Sequence, residues 1–81
     1  MEKEILGRTV RMRSAPGENR WDAWATLYHE SMKPEDGEQG VEREFYGFGD
    51  DQEAAEEMVE ILVINYLKKK WKSERLRQQG G

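Results

Sequence analysis

The chain has no cysteine, a single histidine and only two prolines. Without cysteine there is neither a disulfide nor a thiolate zinc site, which fits a reducing compartment, and a cytoplasmic location is expected. Long apolar runs are missing as well. The longest, Ile61–Ile64, is far short of the roughly 20 residues of a membrane-spanning helix, so no span is expected. The opening "MEKEILGRTV" has no apolar segment of the kind a secretory signal needs.

Catalytic pairings are scarce for the same reason. With His29 alone, no cysteine and no serine in a recognisable elbow, a nucleophile–base pair cannot be assembled. No catalytic residue and no cofactor are expected, and the chain reads as a non-enzyme. "GFGDD" (47–51) places Gly-x-Gly before a helix, but Asp50, Asp51 and Glu53 would repel a phosphate there. It reads as a turn. The acids between residues 50 and 60 lack the alternating ligand loop of a calcium site, so no metal is expected.

Charge is abundant. Thirteen Lys and Arg against seventeen Asp and Glu give a net charge of −4, which weighs against generic polyanion binding. In 81 residues one domain fits, and a domain this small buries only about 60% of its unfolded surface. The expected organisation is a single domain over residues 1–77 with a disordered tail at 78–81.

Alternation supplies the strands. In "ILGRTVRMRS" (5–14), Leu6, Val10 and Met12 share one face and Thr9, Arg11 and Arg13 the other. After the Pro16–Gly17 turn signal, residues 20–33 carry two patterns. As a strand, Trp21, Ala23, Ala25 and Leu27 share one face, with Trp24, Thr26 and Tyr28 opposite. As a helix, Asn19 caps Trp21, Trp24, Ala25, Tyr28 and Met32. The β-leaning composition favours the strand. A polar loop follows at 32–40. "VEREFYGFG" (41–49) then alternates with Val41 and Phe45 on one face and Glu42, Glu44, Tyr46 and Phe48 on the other.

A long helix begins with Asp50 as cap and Glu53 three residues on. It continues to about Arg77 with no Gly or Pro, acidic at its start and basic at its end, as the macrodipole favours. The expected architecture is α+β: a three-stranded antiparallel sheet (β-β-β-α) of unknown strand order, with the helix packed on one face. The alternative is βαβα.

At 100° per residue, Ala55, Met58, Val59, Leu62 and Tyr66 make the docking stripe. Ile64, Leu67 and Trp71 lie nearly opposite and would face a partner or another part of the chain. Reversing two copies about Ile64 brings Glu60 to Lys68, Glu56 to Lys72 and Glu53 to Arg75. The expectation is an interaction module, self-associating as a homodimer or bound to a protein partner, through Glu53, Glu60, Ile64, Leu67, Lys68, Trp71 and Arg75.

The alternative is a nucleic-acid surface. Arg11, Arg13, Trp24, Tyr28 and Tyr46 share the outer sheet face, where exposed aromatics beside arginines can stack bases, and Lys69 belongs to the basic helix end. Three strands entering a helix through "FYGFGDDQEAAEEM" resemble in outline the arm-binding domains of phage integrases and the second half of double-stranded-RNA-binding domains. Those families place bases where the helix begins, whereas this chain has "DDQEAAEE", and no functional residue transfers.

Overall fold

The computed structural model describes residues 1–30 and 40–79, with side chains described as far as Lys72. Strands β1 (Glu2–Ile5), β2 (Arg8–Pro16), β3 (Trp21–Tyr28) and β4 (Val41–Gly49) form one antiparallel sheet in that spatial order, followed by helix α1 (Gln52–Gln79). The class is α+β with an antiparallel sheet and one C-terminal helix, but the described residues form four strands rather than three. The βαβα alternative does not hold, because Trp21–Tyr28 is a strand. The segment expected as a polar loop lies outside the described residues except for Gly40.

The additional strand comes from a hairpin. Leu6 and Gly7 both have positive φ, 50° and 78°, as a two-residue turn matching strand twist requires. Leucine is a poor residue for that conformation, so the sequence offers only half a turn signal. The pairing of Ile5 with Arg8 follows directly. Leu6 is therefore an exposed turn residue instead of a member of the Val10–Met12 face. Charged β1, "EKEI", is the short polar edge that discourages pairing with other chains.

Ala23, Ala25 and Leu27 of β3 turn inward beside Val10 and Met12 of β2, and all five are buried. Small residues set how closely α1 lies on them. Gly47, opposite Ala23, has no room for a side chain: a Cβ there would sit 2.9 Å from the Val59 nitrogen. Gly49 is tighter still, with its Cβ position 2.6 Å from both the Ala54 Cβ and the Ala55 nitrogen. The Gly-x-Gly that reads as a turn is thus part of β4, where it admits the helix backbone.

The helix begins one residue later than its acidic signature suggests. Asp51 is the cap, its carboxylate accepting from the Ala54 nitrogen at 2.8 Å, and with alanine at that third position there is no capping box. The buried row is Ala55, Val59, Val63 and Leu67, every fourth residue. Met58 and Leu62, assigned to the docking stripe from the wheel, are 40% exposed, and Tyr66 is half-buried. A step of four advances about 400°, so this row winds round the helix as it goes. A twisted sheet receives such a track, whereas a wheel assumes a straight one.

At 28 residues α1 is about 42 Å long, against roughly 30 Å for nine-residue strands. Its end projects past the sheet. The smallest dimension, 15 Å, is that of one sheet and one helix, and among the described residues no further layer covers the outer sheet face or the solvent side of α1.

Candidate interaction surfaces

Among the described residues, three surfaces gather side chains capable of recognition. The first is the solvent side of α1. Ile61, 49% exposed, lies at its centre, with Met58 and Leu62 adjacent at the flank toward β4, where the Met58 sulfur accepts from the Phe48 nitrogen at 3.3 Å. Asn65, Lys68, Lys69 and Lys72 continue it with exposed polar groups. The set differs from the one expected around Ile64. Leu67 is 7% exposed and belongs to the core, and half-buried Ile64 packs against that core. Glu60 pairs with Lys3 at 2.6 Å, which occupies it within the chain. A partner surface centred on Ile64 and Leu67 is therefore taken by the protein's own sheet. Trp71 remains 60% exposed and lines a cleft with Leu6, Arg8 and Lys68. Glu53 is exposed beside Glu56 and Glu57. The side chain of Arg75 lies outside the described residues.

The second surface is the outer sheet face. Register places Arg13, Trp24 and Tyr46 in one row across β2, β3 and β4. The Arg13 guanidinium sits 5.0 Å from the Trp24 ring centroid, Trp24 is 5.8 Å from Tyr46, and Tyr46 is 6.5 Å from Phe48. Arg20 closes the ladder 4.8 Å from the Phe48 ring. Carboxylates accompany it: Asp22 accepts from the Tyr46 hydroxyl and pairs with Arg20 at 3.4 Å, and Glu44 lies 3.7 Å from Arg13. The hydrogen bond to Asp22 holds the Tyr46 hydroxyl above the usual phenol range, against the pull of Arg20.

Of the residues expected here, Arg11, Arg13, Trp24 and Tyr46 are brought to this face, Arg11 pairing in register with Glu2 and Thr26. Tyr28 is buried at the end of β3, where the register with β4 breaks. Lys69 belongs to the helix surface and lines a cleft with Phe45, Leu62 and Tyr66.

That break creates the third surface. Leu27 pairs with Arg43 and Tyr28 with Val41, so Glu42 is an extra residue in β4. A bulge re-aims the side chain it carries. Glu42, expected on the outer face, turns to the helix side, where only 7% of its side chain is exposed. One oxygen accepts from Arg8 at 2.6 Å, and the other from Lys70 and from the Tyr66 hydroxyl at 3.3 Å. Arg8 also donates to the Tyr28 carbonyl at 2.6 Å, bracing β2, β3, β4 and α1 at one point. Sequence alternation alone hides this cluster, since nothing in "GVEREF" marks an extra residue.

Burial pushes the Glu42 carboxyl up, but the hydrogen bonds and charges of Lys70 and Arg8 outweigh it, and the pKa is lowered. Lys70 is raised by the same bond to Glu42. A depressed carboxyl contributes stability that is complete above its unfolded value, about 4.3, and is lost as pH falls through the folded value. Glu42→Gln should therefore cost about 1.5–3 kcal/mol at pH 7, where two cationic donors lose an ionised acceptor. In urea titrations the gap between wild type and variant should close as pH falls below about 4.3; a gap independent of pH would show that ionisation of Glu42 contributes nothing.

Comparison with protein-family models, with curated proteins and with solved structures finds no match to this chain.

Proposed function

We propose that this protein is a non-enzymatic interaction module that self-associates through the solvent side of α1. The observation that carries the reading is the contiguous exposure of Met58, Ile61 and Leu62 in the middle of a helix whose buried row, Ala55, Val59, Val63 and Leu67, packs into the core. Scattered apolar residues are normal on surfaces, whereas adjacent ones with charged flanks mark contact sites. Self-association also suits a small domain with a thin core and no cysteine to form a disulfide.

A second reading follows from one specific feature. The ladder from Arg13 through Trp24, Tyr46 and Phe48 to Arg20 offers ring faces and cations of the kind that hold single-stranded nucleic acid. Against it, both arginines already face carboxylates, and stacked cross-strand aromatics stabilise an open sheet face in their own right.

One sedimentation experiment separates the two. The protein is run alone from micromolar to millimolar concentration, then with a labelled single-stranded oligonucleotide at low salt. The first reading expects a mass that rises toward twice that of the chain and an oligonucleotide that sediments alone. Co-sedimentation that is lost in high salt would favour the sheet face, and a monomer at every concentration would overturn self-association.

A further inference from the structure

The geometry points to a two-fold antiparallel pairing of α1 with α1 of a second copy, along a seam of Ala54, Met58, Ile61, Asn65, Lys68 and Lys72. This rests on the self-association proposed above and adds its symmetry and register.

The six positions step alternately by four and three residues, the spacing that keeps one helix face against another. Five are exposed and Ala54 is half-buried against Gly49. Met58 flanks β4, its sulfur accepting from the Phe48 nitrogen at 3.3 Å, and none belongs to the buried row of Ala55, Val59, Val63 and Leu67. Leu62 lies beside Ile61 and widens the apolar centre.

Charge selects the direction. With two copies reversed about Ile61, that side chain meets its own copy and Met58 covers Asn65. The aliphatic stem of Lys68 lies over the small Ala54, and Asp51 meets Lys72. Parallel pairing would instead put Lys72 against Lys72 and Asp51 against Asp51. The macrodipole accounts for acids at the start of a helix and bases at its end anywhere on its circumference. It gives no reason for the apolar group between them on the side facing water. Antiparallel copies use both features: Met58, Ile61 and Leu62 exclude water, and the end charges fix register.

The seam differs from one through Ile64 and Leu67 by a rotation of the helix, since the sheet already occupies that side. It also differs from edge-to-edge pairing of β4, which would hold the two helices apart.

Spin labels on single cysteines test it in a chain that has no other cysteine. In the antiparallel seam, labels at Asn65→Cys are offset by about 12 Å along the axis and those at Lys69→Cys by about 24 Å, at 1.5 Å rise per residue. The helix axes themselves lie about 8–10 Å apart. The separation should therefore be clearly longer at residue 69. Equal short separations at both sites would mean parallel pairing. Separations beyond about 25 Å at residue 65, more than the axial and lateral offsets allow, would mean contact through another surface. Either result in a sample that sediments as a dimer overturns the seam and leaves self-association standing. A monomer at millimolar concentration removes both.

Discussion

Leu67→Ala should lower the unfolding free energy by about 2–4 kcal/mol, the range for deleting a buried leucine without collapse of the cavity. Leu67 is the last member of the buried row among the described side chains of α1 and is 7% exposed. Its loss removes contacts where the core is thinnest, near the projecting end of the helix. Leu67→Glu should also destabilise, because it forfeits the same apolar contacts, although Arg8, Lys68 and Lys70 line the cleft beside it. The contrast lies a few residues away: Ile61→Ala, on the solvent side, should change monomer stability by no more than about 0.5 kcal/mol. Urea unfolding at dilute concentration reads all three. Equal effects of Leu67→Ala and Ile61→Ala would mean that the inner and outer sides of α1 are assigned wrongly.

The second large effect concerns volume added in place of volume removed. Gly47→Ala should destabilise by about 1–3 kcal/mol, as overpacking of a closed contact does. The new Cβ would meet backbone atoms, the Val59 nitrogen at 2.9 Å and the Ala55 oxygen at 3.3 Å, and backbone cannot rotate away as a flexible side chain can. To accept it α1 must lift from β4, loosening the contact with Ala23 and Ala25 alongside. Gly49→Ala should act in the same direction through Ala54 and Ala55. Gly7→Ala makes the informative control. A Cβ at Gly7 meets nothing within 4 Å, and its φ of 78° confines the cost to backbone strain of about 1 kcal/mol. Melting of the three variants should show losses at 47 and 49 that persist after α1 shifts. A neutral Gly47→Ala would mean that the helix rides higher on the sheet than described.

These effects also show where the sequence was readable. Alternation placed Trp21, Ala23, Ala25 and Leu27 on one face of a strand, and the structure has them there. It likewise put Phe45 opposite Tyr46 and Phe48. The uninterrupted run after Asp51 made the helix plain. The features without a sequence mark depend on backbone irregularity or on curvature. A turn at Leu6–Gly7 puts leucine at positive φ, so one apparent strand conceals a hairpin. A bulge at Glu42 reverses a side chain without any sequence mark, and with it the Arg8–Glu42–Lys70 cluster disappears from view. The wheel projection failed through geometry, since a helix on a twisted sheet is contacted along a winding row. Leu67 therefore moved inward while Met58 and Leu62 moved out, and a partner surface drawn through Leu67 turned out to be core.

The outer side of α1 has its most direct test in one substitution. Ile61→Glu would set two carboxylates against each other across the two-fold seam while leaving the row of Ala55, Val59, Val63 and Leu67 untouched. Sedimentation equilibrium at a concentration where wild type is mostly dimeric should give the single-chain mass for the variant, with an unchanged helical spectrum. A variant that stays dimeric, or a wild type that never exceeds the single-chain mass, would contradict the claim that this face of the helix holds a second copy.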